Sequence, residues 1–126
     1  MNTLDAAIRN NAAWCECVCR AHGAGGAFND KYWESGPSPP RFYPDLVTLV
    51  PDVRADQLTE AAALARPVWH VKDSFALLDL SLLGARVIIE AQWQLSAPSV
   101  SVNDDATAES IPSRSWPSGR VAGRTT

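Results

Sequence analysis

Between Val68 and Leu95 the segment VWHVKDSFALLDLSLLGARVIIEAQWQL carries the pattern that most restricts the fold. In its second part Ala85, Val87, Ile89, Ala91, Trp93 and Leu95 are apolar, with Arg86, Glu90, Gln92 and Gln94 between them. Successive side chains of a strand point to opposite faces, so this period of two predicts a strand with one buried side. The first part has the same odd-numbered set, Trp69, Val71, Phe75 and Leu77, broken by Asp73. Gly84 is the residue near the junction that takes a left-handed backbone cheaply, which predicts a hairpin with a three-residue loop over Leu82 to Gly84. That register sets Ser81 opposite Ala85, Leu77 opposite Ile89, Phe75 opposite Ala91 and Asp73 opposite Trp93. Both apolar sets then share a face, and a slip of one residue would turn one of them into water.

An apolar face needs a cover. Leu4, Ala7, Ile8, Asn11, Trp14, Cys15, Val18, Cys19 and His22 follow helical spacing, predicting an amphipathic helix from Leu4 to about His22, capped by Thr3 and stopped by Gly23. From Gly23 to Arg41 glycine and proline are too dense for a regular element longer than one turn. Phe28, Tyr32 and Trp33 in this loop read first as aromatics closing the core edge and second as ligand contacts. Phe42 to Val50 is a β-rich run with Pro44 near its start. A second, alanine-rich helix is expected over about Arg54 to Arg66, with Leu58, Ala61, Ala62 and Ala65 on one side and Pro67 as its stop.

The order helix, strand, helix, strand, strand predicts an α+β fold: a small antiparallel or mixed sheet with a central hairpin and helices packed on one face. Residues 1–95 form one domain. Residues 96–126 are small, polar and proline-rich without periodicity, and are expected to be a disordered tail.

Composition narrows the function classes. With 126 residues the chain suits a single small core. A net charge of -3 and no basic face argue against nucleic acid and anionic membranes as partners. The tail's Asp104, Asp105 and Glu109 cancel Arg114, Arg120 and Arg124, so the body carries that charge. No apolar run approaches the roughly 20 residues that span a bilayer, and no basic-then-apolar leader opens the chain. A cytoplasmic location is expected, which also suits three cysteines crowded at positions 15, 17 and 19 without a disulfide framework.

Cys15, Cys19 and His22 stand at i, i+4 and i+7, but a tetrahedral site needs a fourth ligand, so packing is the preferred reading and no metal is expected. Cys17 has no activating base nearby. Asp73, placed on the apolar face, must be strongly hydrogen-bonded. It binds the free amides of a neighbouring loop, or a bulge at 72–74 turns it into a cleft. Lys72, Ser74, Glu90, Gln92 and Gln94 line the other face, read as solvated or as a docking surface.

The stretches AAIRNNAAWCECVCRAHG at 6–23, FYPDLVTL at 42–49, VKDSFALLDL at 71–80 and GARVIIEAQW at 84–93 together resemble the amino-terminal half of actinobacterial GNAT-like N-acetyltransferase family proteins. The resemblance covers about residues 4–95 and contains no catalytic signature. In that group an acetyltransferase-like half follows, and acetyl-CoA is held by a glycine- and arginine-containing turn whose amides face the pyrophosphate. No such turn follows Trp93, and the tail has the composition that a reading-frame change in a GC-rich gene or a truncation would leave. The resemblance therefore implies a non-catalytic half-domain without a cofactor site, associating with an acetyltransferase-like partner domain or as a homodimer. The alternative is an N-acetyltransferase using acetyl-CoA, or a small-molecule-binding protein. Its cleft would be formed by Asn10, Asn11, Trp14, Trp33, Tyr43 and Asp73.

Overall fold

A computed structural model describes residues 2–93 and 118–124. Helix α1 spans Thr3–Ala21 and is capped one residue earlier than expected, where the Asn2 side chain accepts the Asp5 N–H at 2.8 Å. Gly23 closes it with φ 76°, and the Ala24 N–H returns to the Cys19 carbonyl at 2.8 Å. Strands β1 (Ala27–Phe28), β2 (Tyr32–Glu34) and β3 (Leu46–Thr48) follow, then helix α2 (Ala55–Leu58) and a 3-10 turn at Ala62–Ala65. Strand β4 is Trp69–Asp73, a second 3-10 turn is Ser81–Leu83, and strands β5 (Arg86–Gln92) and β6 (Ser118–Arg124) complete one six-stranded sheet.

The sheet is mixed, as the α+β class allows. Its order is β1-β2-β3-β4-β6-β5, with β3 and β4 parallel and every other pair antiparallel. Three expectations are corrected by this order. The hairpin does not form: β6 lies between β4 and β5, so Asp73 stands opposite Arg120 and Ile89 opposite Val121. Strand β4 ends at Asp73, and Phe75 and Leu77 fall in the following turn, where Ala76 has φ 55°. The segment 118–124, expected to be disordered, is a strand in which the neighbours of Gly123 leave no room for a side chain. A Cβ on Gly123 would lie 2.5 Å from Ile88 Cδ1 and 2.8 Å from His70 Cδ2. The rest of the expected tail, 96–117, lies outside the described residues, as do Gln94 and Leu95.

Helices cover both faces of the sheet and not one. Ile8, Ala12, Cys15 and Cys19 of α1 pack on Trp33, Val47 and Leu49, whereas Leu58 of α2 and Ala61 pack on Leu46, Trp69, Val71 and Ala122. Leu46 and Val47 are consecutive in β3, so these clusters lie on opposite sides, and β3 is buried on both. The expected helix 54–66 is interrupted because Ala61 takes an extended conformation (φ -69°, ψ 131°). The strand expected over 42–50 shrinks to three residues, since Phe42 has φ 74° and Pro44 precedes the pairing. The 23–41 stretch holds two short strands, and its Trp33 is a core residue.

Candidate functional site: an amphipathic cleft under α1

The α1 side of the sheet carries a cleft of about 550 Å³. Asn11, Trp14 and Cys15 of α1 form one wall, and the turn Arg41–Pro44 forms a lip. The floor is made by His70 and Lys72 of β4, Val121 of β6, and Ile88 and Ile89 of β5. Even-numbered β4 residues face this side because Trp69, Val71 and Asp73 face the other. A bulge in β5 between Val87 and Ile89 adds one residue against β6, bringing both isoleucines to the cleft. At the lip, Phe42 has a left-handed backbone that a bulky residue rarely adopts, is 91% exposed, and carries the Arg41 guanidinium 4.9 Å above its ring.

Lys72 is the polar centre of the floor. Its Nζ donates to Asn11 Oδ1 at 2.8 Å and stands 4.8 Å from the ring centroid of Trp93. Burial holds its pKa below the ordinary lysine value, opposed by the nearby Cys15. The Cys15 thiol is itself pushed up to about 11 by burial, despite Lys72 nearby, and stays protonated at neutral pH. Beside the cleft, Asp45 accepts the His70 N–H at 2.8 Å and Arg66 Nη1 at 2.7 Å. Arg66 Nη2 also binds the Ser35 and Gly36 carbonyls at 2.9 and 3.0 Å, so one buried ion pair fixes both the loop and the lip-side end of β4.

Of the six residues named from sequence, the cleft brings together Asn11, Trp14 and Tyr43. Asn10 is exposed on α1 outside its lining. Trp33 is fully buried in the core, and its indole N–H donates to Glu16 Oε1 at 3.1 Å. Asp73 sits on the opposite face beside a second cavity of about 470 Å³. There its Oδ2 accepts the Leu78 N–H at 2.9 Å and lies 3.4 Å from Arg120 Nη2. Sequence reasoning missed Arg41, Phe42, His70, Lys72, Ile88, Ile89 and Val121. The signal available was a polar Asn11 inside the apolar stripe of α1, which demands a polar partner on the sheet face beneath it.

No group of three metal-binding side chains occurs among the described residues. Cys15 and Cys19 pack in the core, while His22 is exposed. In the glycine segment 23–26 three of the four amides are used within the chain. Gly23 and Ala24 N–H groups bind α1 carbonyls and Gly26 N–H binds Glu16 Oε1 at 2.6 Å. No helix among the described residues is long and apolar enough to cross a membrane.

Fold and site together define a mixed-sheet α+β domain with an amphipathic cleft beneath its long helix. Compared with protein-family models, curated proteins and solved structures, the chain matches none.

Proposed function

We propose that this chain is a small-molecule-binding domain whose ligand occupies the cleft beneath α1. The observation that supports this is the lining: aromatic and aliphatic side chains (Trp14, Phe42, Tyr43, Ile88, Ile89, Val121) surround a few converging polar groups. Ligand sites commonly have this composition, and their volumes run from about 300 to 1,000 Å³. No carboxylate lines the cleft, and burial keeps its Cys15 thiol neutral, so that cysteine is not an activated nucleophile. The test is a thermal-shift screen of a small-molecule library, with acetyl-CoA and CoA as separate arms, followed by NMR of the Trp14 indole N–H. A ligand at 100 times its Kd stabilises the native state by about 2.7 kcal/mol. Trp14→Ala and Tyr43→Ala are expected to weaken binding at least tenfold, while Asp73→Ala, on the other face, leaves it unchanged. Hits that leave Trp14 unmoved would overturn the reading, and a shift confined to acetyl-CoA and CoA would favour the acetyltransferase alternative.

Strand β5 favours a second reading, the GNAT-like half-domain that acts by association with a partner domain or a second copy. It is the last strand of the sheet order, all seven residues are exposed, and Val87, Ile88 and Ile89 are 47%, 49% and 57% accessible. An exposed apolar edge strand is a template for pairing with another chain.

A further inference from the structure

We infer that the cleft selects a small organic carboxylate carrying an aromatic or branched apolar body, held by Lys72 Nζ and Asn11 Nδ2; the inference rests on the ligand-binding reading above. The sign of the charge comes first. The cations Arg41 and Lys72 line the cleft and no Asp or Glu does, while Asp45 beside it is paired with Arg66, in a chain whose net charge is -3. An anion is thus drawn to this concavity by a local field opposite to that of the molecule as a whole.

The donor geometry narrows the class. Lys72 has three N–H donors; one goes to Asn11 Oδ1, and it makes no ion pair among the described residues. The Trp93 ring offsets part of the cost of half-burying this ammonium, and a bound anion would offset more of it. Because lysine only donates, Asn11 must turn its oxygen towards Nζ, which leaves its Nδ2 group as a donor. An ammonium and an amide N–H side by side match the two oxygens of one carboxylate. A phosphate dianion would call for more donors than this pair and a nest of free backbone amides. Arg41 and His70 aside, the rest of the lining is mainly apolar: Trp14, Phe42 and Tyr43 above, Ile88, Ile89 and Val121 below.

The experiment compares 3-phenylpropionate, indole-3-acetate and 4-methylpentanoate with their primary amides, by calorimetry and by NMR of the Trp14 indole. Hydrogen bonds to charged groups contribute about 1.5–3 kcal/mol, so at least one acid should bind about 10- to 100-fold more tightly than its amide. Lys72→Met should erase that preference. Asn11→Asp should erase it as well while keeping Lys72, because the new carboxylate pairs internally with Nζ, and it preserves the test if Lys72→Met fails to fold. Amides that bind as well as acids, or an acid preference surviving both substitutions, would overturn the carboxylate inference and leave the binding reading intact. Silence from all six compounds, with the Trp14 signal unmoved, would count against the carboxylate inference; the library screen then decides the reading beneath it.

Discussion

At the scale of single residues, Glu16 shows how a carboxylate is kept in a core. It is 7% exposed, and its two oxygens accept from the Gly26 N–H, the Trp33 indole and Arg20 Nη2 at 2.6, 3.1 and 2.9 Å. Burial opposes ionisation, yet these three donors outweigh it and hold the pKa below the ordinary 4.5. The folded value being depressed, the stabilisation is complete above the ordinary glutamate range and is lost as pH falls through the folded value. Glu16→Gln is expected to cost about 1–3 kcal/mol in urea unfolding at pH 7, with the gap from the native chain narrowing as the pH is lowered below the ordinary glutamate range. Unequal legibility of the sequence begins at this scale. Asn11 was readable because it broke an apolar stripe, whereas Glu16 sits beside that stripe and its partner Trp33 is 17 residues away. Asp73 was readable as a carboxylate on an apolar face, but the turn amide it binds, Leu78, depends on where β4 stops.

Among the elements, α1 and β4 follow from local pattern: a helical period with a cap, and an alternation of period two. Strand β6 does not: in SGRVAGR only Val121 and Ala122 are apolar, and at Gly123 the space a side chain would take is already filled by Ile88 and His70. A strand with so few apolar residues has no hydrophobic alternation, so the two patterned segments flanking it look like partners of each other. Gly123→Val should therefore overpack this seam and cost about 1–3 kcal/mol in chemical denaturation. Adding Ile88→Ala should recover part of the loss, because the nearer clash is with the Ile88 terminal methyl. A double variant no more stable than Gly123→Val alone would place the strain elsewhere. The layer error has the same root: the period of α2 shows that it is amphipathic, not which side of the sheet it covers.

For the molecule as a whole, the sheet is unevenly protected. Strand β3 is buried on both faces, while β5 at the end of the order is exposed along its length. The bulge at Ile88 both widens the cleft floor and twists the edge, a device that discourages continuous pairing without abolishing it. Concentration-dependent association is expected in light scattering, and Ile89→Lys should suppress it with little change in unfolding midpoint. A strictly monomeric species at millimolar concentration would exclude association of the chain with a second copy of itself.

The place of β6 between β4 and β5 also sets a timetable. During synthesis β4 and β5 are complete while the strand that joins them is still unmade, and 25 residues, 93–117, separate Gln92 from Ser118. At about 5–20 residues per second, that spacer takes roughly one to five seconds to add, with β4 paired only to β3 and β5 still without β6. Val87–Ile89 is thus made before the strand that pairs with it, and a chain lacking β6 would expose both edges of β5 to mispairing where the finished fold covers one.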